Sequence, residues 1–413
     1  MIRATRTQWI KFAVVLALYL IFLVWLRSWL GLVVVPFIFD AYITKKIPWT
    51  WWRESKNRHV VTVMGWVDAI VFALVAVYFV NLYFFQNYVI PSSSLEKSLL
   101  TGDYLFVSKM SYGPRVPQTP LHMPLAQHTL PFFNCKSYLE HPQWDYKRVK
   151  GLGDVQLNDI VVFNFPAGDT VATGVPNDDI YRLSYGAGKE LAKPVDLASM
   201  TPEQQRVVYD YYYQLGREYL KENPQNFGEI ISRPVDRREN YVKRCVGLPG
   251  QTLEIKDRII YLDGKANKEP DNVQYRYLVK TKRPIPDDLA HELGISKEDM
   301  MMYYTDASVY NMPLTEKAKA GLLARKDIVV SIENTPADDA GGLYPLNMYK
   351  NWTTDNYGPV WIPKKGETVK LTIENLPVYE RPIHVYEGNE LAVKDGKIYI
   401  NGKETDEYTF KMD

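Results

Sequence analysis

The sequence predicts a mainly β domain, interrupted by mixed α/β insertions and tethered behind two apolar N-terminal segments. Three observations predict it. Most of the long apolar runs fall in the first 90 residues. Beyond Asn87 the hydrophobic pattern is mostly of period two, in short runs bounded by Gly, Pro, Asn or Asp. The few helix-start signals fall in stretches between those runs.

The cleaner apolar segment is Trp66 to Phe85, twenty residues with one charge, Asp68. As a helix it covers a hydrocarbon core of roughly 30 Å. The earlier stretch, Phe12 to Phe39, is broken by Arg27, Ser28 and Pro36. It reads as one long tilted span or as two short halves of a re-entrant hairpin. It is too long for a cleaved leader and lacks the small-residue cut site. Between the segments, Lys45, Lys46, Arg53, Lys56 and Arg58 outnumber Asp40 and Glu54, which places this loop in the cytoplasm. Trp49, Trp51 and Trp52 suit an interfacial belt. Everything from about Asn87 onward is then extracytoplasmic. Arg3, Arg6 and Lys11 favour an inside N-terminus, a single first crossing favours an outside one, and the outside placement is the expectation. The membrane region is thus 1–86, with apolar segments at about 12–39 and 66–85 and a basic loop at 40–59.

In the remainder, Tyr104–Val107, Ile160–Phe163, Tyr241–Val246, Thr252–Ile255 and Ile259–Leu262 read as strands. Asp263-Gly264 and Asn401-Gly402 are turn pairs, because Asn, Asp and Gly tolerate positive φ. The stretch from Lys256 to Lys265 echoes that from Lys394 to Lys403, which predicts two similar hairpins. Thr201-Pro-Glu-Gln204 has the capping-box layout with proline at the first helical position. It opens a helix to about Lys221, closed by Asn223-Pro224. Shorter helices are expected near Asp287–Glu292 and Thr315–Ala324.

Composition excludes several functions. Lysine and arginine total 49 against 48 acidic residues, so a global nucleic-acid footprint is absent. Cys135 and Cys245 allow one pair at most and no disulfide framework. The six histidines are scattered, with no HExxH and no CxxC, so neither a metal nor another cofactor is expected.

Two segments carry chemistry. The run Ile90-Pro-Ser-Ser-Ser-Leu-Glu-Lys97 follows the second apolar segment directly. By composition it is a polar linker; by position, a hydroxyl there meets only substrates at the membrane surface. The second is Asn240-Tyr-Val-Lys-Arg-Cys-Val-Gly-Leu-Pro-Gly250. On a strand, Lys243 and Arg244 face opposite sides. If Lys243 points inward, desolvation lowers its pKa and makes it a candidate base. If it points outward, it is an edge lysine that blocks aggregation. Cys245, two residues on, shares its face and reads as a buried free thiol.

Together these pieces resemble the type I signal peptidases. That family carries Pro-Ser-x-Ser after a span, then Gly-Asp with an apolar strand, then Lys-Arg-x-x-Gly-x-Pro-Gly. Here these are Pro91-Ser-Ser-Ser94, Gly102-Asp-Tyr-Leu-Phe-Val107 and Lys243-Arg-Cys-Val-Gly-Leu-Pro-Gly250. Leu157-Asn-Asp-Ile-Val-Val-Phe163 resembles a fourth family strand between them. The likeness covers about Tyr88–Val107, Gln156–Pro166 and Arg238–Leu262; segments 168–237 and 266–390 match nothing.

The resemblance implies a signal-peptidase-like β fold and a membrane-bound serine endopeptidase that removes signal peptides with a Ser-Lys dyad. It implies Ser94 as nucleophile and Lys243 as general base. The Ser94 N–H and the Ser92 hydroxyl form the oxyanion hole. Ile90, Pro91, Leu95, Tyr241 and Val242 line shallow pockets for small side chains of a substrate added as a strand. Partners are signal-peptide-bearing preproteins and the lipid bilayer. The place implied is the bacterial inner membrane, with several crossings and the catalytic part outside. The domain division that follows is 87–166, first part of the catalytic core; 167–237, a partly helical insertion; 238–265, core with the lysine strand; 266–390, an accessory domain; 391–413, returning strands.

Departures are Leu95 for the commoner Met, Lys97-Ser98 for Pro-Thr and Gln251 for Asp. The family's Gly-Asp-Asn…Ser-x-Asp-Ser motif, whose serine holds the lysine, has no counterpart, and the sequence is expected to be truncated near where it begins. An alternative is a membrane-tethered, catalytically impaired binding or scaffold protein. Ser94-Leu-Glu-Lys97 also spells the penicillin-binding S-x-x-K, but the S-D-N and K-T-G triplets of that fold are missing.

Overall fold

The computed structural model describes residues 4–413 except 131, 134, 165–169, 177, 302–303, 307, 337–342 and 347–351. The expected boundary at 166/167 therefore lies outside the described residues. Two helices are long and apolar enough to cross a membrane, Arg6–Leu26 and Arg58–Tyr83.

Helix α1, Arg6–Leu26, starts at a capping box in which Thr5 and Gln8 satisfy each other's backbone N–H groups. It stops at Arg27, whose φ of 49° reverses the chain. A short 3₁₀ turn, Leu30–Val34, leads into α2, Val35–Phe39, and a π turn, Asp40–Thr44. This segment folds back along α1. Gly31 permits the approach, since a Cβ there would lie 2.1 Å from Leu23 Cδ2. Tyr19 donates to the Gly31 carbonyl at 2.7 Å, and the Phe39 ring meets those of Phe12 and Trp9 at 5.4 and 6.3 Å. The stretch 12–39 is neither one long span nor two short halves: α1 alone is long enough to cross a membrane, and a shorter segment returns along it.

Helix α3, Arg58–Tyr83, is capped by Asn57 and starts eight residues before the expected Trp66. The apolar run His59–Gly65 continues the helix, and Asp68 inside it faces Arg53 at 3.7 Å. At its other end Phe85, the last residue assigned to the span, opens β1, Phe85–Val89. The C-terminal ends of α1 and α3 meet, with Phe22 and Trp25 rings 5.2 and 6.5 Å from Tyr83. The N-terminus thus shares an end of the bundle with the 40–59 loop. The reversal at Arg27 adds a return segment that hydropathy alone did not separate.

Strand β1 pairs antiparallel with β2, Tyr104–Ser108, from Phe85↔Ser108 to Val89↔Tyr104. A long two-armed loop, 114–149, follows. It is bridged at Arg115↔Arg148, His122↔Tyr138 and Thr129↔Lys136. Strand β3, Ile160–Asn164, pairs with β6, Asn240–Arg244, with Val161 opposite Lys243. Between them lie β4, Thr170–Ala172, and its partner β5, Ile230–Ser232, flanking a helical hairpin. Its arms are α4, Ile180–Leu191, and α5, Pro202–Glu222, the latter with both capping-box bonds and Pro202 at its first turn. A Cβ on Gly188 would sit 1.8 Å from the Tyr212 carbonyl oxygen, and one on Gly216 1.7 Å from that of Ser184, so glycine sets this close helix contact. A one-turn helix, α6, Pro224–Phe227, ends the hairpin.

Strands β7, Thr252–Lys256, β8, Ile259–Leu262, and β9, Lys265–Ala266, form a meander. Strands β10, Gln274–Thr281, β11, Tyr304–Asp306, β12, Val309–Thr315, and β13, Val329–Asn334, form a sheet in the order β11-β12-β10-β13. Helices α7, Asp287–Glu292, α8, Lys297–Met301, and α9, Glu316–Ala324, accompany it. Val279, Met312, Leu322 and Ile328 are fully buried in that unit's core.

The chain then returns as β14, Tyr357–Trp361, which pairs with β7. After it come β15, Thr368–Lys370, α10, Leu376–Arg381, and the meander of β16, Leu391–Lys394, β17, Lys397–Ile400, and β18, Lys403–Glu404. Strand β19, Glu407–Thr409, closes on β15. Leu371, Leu376, Ile383, Ile398 and Phe410 share one core, so the unit runs across the expected boundary at 391. The echoed hairpins are two three-stranded meanders. Each has two two-residue turns with positive φ at both positions: Asp257-Arg258 and Asp263-Gly264 in one, Asp395-Gly396 and Asn401-Gly402 in the other. The extramembrane part is β-rich with helices, as the sequence predicts.

Candidate active site

Pro91 follows β1 and lacks the N–H that would continue a ladder. Ser92 is extended, and Ser93–Leu95 form a 3₁₀ turn that presents Ser94 to solvent. The loop beyond is closed tightly. Ile90 N–H donates to the Asp103 carbonyl at 3.0 Å and Gly102 N–H to that of Ile90 at 2.9 Å. The Asp103 carboxylate accepts from Leu100 N–H at 2.8 Å. Gly102, at φ 91°, makes the turn possible. These bonds explain why a Gly-Asp pair follows the serines: it pins the segment that carries them.

Strand β6 brings Lys243 to this turn. Its Nζ donates to Ser94 Oγ at 2.6 Å, joining residues 149 positions apart. Ser92 Oγ lies 3.3 Å from Ser94 Oγ. The neighbouring Arg244 donates to Ser98 Oγ at 3.0 Å and to the Asn158 carbonyl at 2.8 Å. Two consecutive side chains of one strand thus hold two hydroxyls of the serine segment.

Three expectations need correction. Lys243 is exposed, not desolvated, because β6 pairs with β3 in a two-stranded sheet and no described layer covers that face. Tyr241 shares the Lys243 face while Val242 lies with Arg244 on the other, so alternation separates two of the expected pocket residues. Ile90 is 3% exposed and supports the loop from beneath, whereas Pro91 is exposed and Leu95 half-buried. Cys245 lies one residue past the end of β6, half-buried, its thiol toward the Gly247 carbonyl at 3.4 Å; Cys135 is exposed, and both are free.

Other supports were not foreseen. Tyr112 donates to the Asp159 carboxylate at 2.7 Å and holds that carboxyl below its usual range; Gln156 N–H adds a second bond at 2.9 Å. This fixes the turn into β3. The buried pair Asp236 and Arg237 ties the 114–149 loop to the approach of β6 through Thr119. The only sequence signal for either was an Asp at a strand entrance or beside an Arg, which is too common to read.

A sequence model described as "Signal peptidase, peptidase S26" matches residues 63–291, more than half of the chain. The chain belongs to the signal peptidase family, peptidase S26. The match runs from within α3 through the serine turn and β6 to α7. Among curated proteins, the chain is 42% identical over 56 residues to "Signal peptidase I" of Helicobacter pylori (strain ATCC 700392 / 26695), covering 14% of this chain and 18% of that protein. It is 20% identical over 279 residues to "Signal peptidase I P" of Bacillus subtilis subsp. natto, covering 67% of this chain and 90% of the relative. Against "Signal peptidase I" of Rickettsia prowazekii (strain Madrid E) it is 24% identical over 165 residues, covering 37% and 56%. No solved structure matches the chain.

Proposed function

We propose that this chain is a membrane-bound serine endopeptidase that removes N-terminal signal peptides from exported preproteins, on a signal-peptidase-like β fold. One observation carries the roles: the Lys243 amine stands 2.6 Å from the Ser94 hydroxyl. Ser94 Oγ attacks the carbonyl carbon of the scissile peptide as Lys243 Nζ takes its proton. The oxyanion is met by the Ser94 N–H and the Ser92 hydroxyl. Lys243 then protonates the leaving amine, and a water activated by Lys243 hydrolyses the Ser94 ester.

Base function requires the uncharged amine. Among the described strands β6 pairs with β3 alone, which supports an extended substrate joining along its other edge. A strand laid there also covers the open face of Lys243, and removal of water disfavours an ammonium. Tyr241, on the same face, is the pocket residue this reading favours. The basic 40–59 loop supports a reading in which both helix starts lie in the cytoplasm and the serine turn meets the outer surface of the bacterial inner membrane.

The test uses the full chain in lipid vesicles with a preprotein, and mass spectrometry of the products. Ser94→Ala is expected to leave the precursor intact, whereas Ser93→Ala cleaves it. Cleavage by Ser94→Ala at the unaltered rate would remove the nucleophile from this account.

A further inference from the structure

Behind the dyad strand lies a cleft that the mechanism does not use. Lys243 and Arg244 face opposite sides of β6, and Arg244 opens onto a cavity of about 660 Å³. That volume falls within the roughly 300–1,000 Å³ of specific binding sites. The cleft forms where β10 and the turns beside it abut the catalytic core. Ile255 and Ile260 of the β7–β8 meander, with Val246 and Val273, supply its apolar wall, and Asn158 and Arg244 come from the core.

Three arginines and two carboxylates line the cleft, so its charge favours an anion. They are not equally satisfied. Arg258 donates to the Asp355 carboxylate at 3.0 Å and to the Thr335 carbonyl at 2.8 Å. The Glu269 carboxylate accepts from the Tyr275 hydroxyl. Arg244 has no carboxylate within ion-pair distance among the described residues. Two neutral oxygens hold its guanidinium, the Asn158 carbonyl at 2.8 Å and Ser98 Oγ at 3.0 Å. A guanidinium carries five N–H donors in a fork, and its strongest partner is a charged pair of oxygens. Asn158 shows the complementary deficit. Its N–H donates to the Cys245 carbonyl at 2.7 Å, which fixes it beside Arg244, but its side-chain oxygen is buried and accepts from no described group.

We propose that this cleft binds the free C-terminal carboxylate of a short apolar peptide, at a site separate from the dyad, and that its occupancy slows cleavage. The carboxylate pairs with Arg244. A peptide N–H near that end meets the Asn158 side-chain oxygen, and the last side chains pack on Ile255, Ile260 and Val273. A charged acceptor bonds a guanidinium about twice as strongly as a neutral one. The ligand therefore draws Arg244 from Ser98 and loosens the serine turn. A fatty acid offers the same carboxylate on an apolar body but no N–H for Asn158, so the unmet acceptor favours the peptide. The slowing rests on the peptidase reading; the binding does not.

The experiment titrates the full chain carrying Ser94→Ala, in detergent, by calorimetry with three probes: N-acetyl-Ala-Val-Leu, its C-terminal amide, and hexanoate. The acid peptide is expected to bind at least about tenfold more tightly than either of the others. Equal affinity for acid and amide, or hexanoate binding as tightly as the peptide, would overturn the proposal. Val273→Trp fills the cleft. It is expected to abolish peptide binding while leaving short-peptide cleavage unaltered when Ser94 is intact. Binding that survives Val273→Trp in a chain that still cleaves would place the ligand elsewhere and overturn the site. The comparison of acid with amide needs no change in the cleft and decides the point should Val273→Trp not fold. With Ser94 intact, the acid peptide is expected to lower kcat for a preprotein without raising KM. An unchanged kcat, or a rise in KM alone as for a competitor at the dyad, would also overturn the proposal. Failure of the peptidase reading shows differently, as absence of cleavage by the unaltered chain with peptide binding intact.

Discussion

Asp236 organises the long loop through a single oxygen. Its Oδ2 accepts from Gln118 N–H and Thr119 N–H, both at 3.0 Å, and from the Thr119 hydroxyl at 2.9 Å. It also faces the Arg237 guanidinium at 3.7 Å. Asp236 and Arg237 are 9 and 5% exposed, so water does not replace a lost partner easily. Asp236→Ala strands two amide donors, a hydroxyl and a buried cation. Each orphaned donor costs about 1–3 kcal/mol, and breaking a buried ion pair costs about 3–5 kcal/mol. These losses overlap at one site and do not add. The expected destabilisation is about 4 kcal/mol, against about half of that for Asp236→Asn, which keeps an acceptor. Denaturant unfolding in detergent measures it, and limited proteolysis reports whether 121–139 is released first. A loss under about 1 kcal/mol, or an unaltered proteolysis pattern, would refute this assignment of the anchor.

Two further outcomes are expected. Burial, reinforced by Arg115 and Arg148, pushes the Lys109 amine from 10.5 down to about 8. Below pH 8 both folded and unfolded chains carry the proton and the burial penalty is complete. Between about 8 and 10.5 only the unfolded chain holds it, so stability rises with pH by at most about 3 kcal/mol. Lys109→Met should stabilise the protein at pH 7 and flatten this rise in thermal unfolding at pH 7 and 10; an unchanged slope contradicts it. Gly216→Ala puts a methyl 1.7 Å from the Ser184 carbonyl oxygen, forces α4 and α5 apart and should cost about 1–3 kcal/mol in the same assay; a neutral substitution would show that the hairpin adapts freely.

Local rules made much of the fold legible. Strands with period-two patterns, the Thr201 capping box and the paired Asp-Gly and Asn-Gly turns each follow from a few adjacent residues, and each formed, although β6 stops at Arg244, two residues short of the expected Val246. Helix α4 was not legible, because its Tyr181, Ser184, Gly186 and Gly188 are poor helix formers whose helix depends on the glycine contact with α5. The hairpin of α1 was left open because Arg27 adopts a left-handed conformation that only a rare residue signals. The juxtaposition of Ser94 and Lys243 came from a resemblance spanning separate motifs. Burial of Lys243 was misjudged because a strand pattern fixes which residues share a face, but not what covers that face. The anchoring of the long loop was invisible for a related reason: Asp236 and Thr119 are far apart in sequence, and no period links them.

The central claim is that a neutral amine at position 243 draws the proton from Ser94. The most direct measurement is preprotein cleavage by Lys243→Ala across pH, with and without added ethylamine. The account predicts a fall of about 10³-fold or more and partial recovery that follows the concentration of uncharged ethylamine. Cleavage by Lys243→Ala at the unaltered rate without any added amine would contradict it.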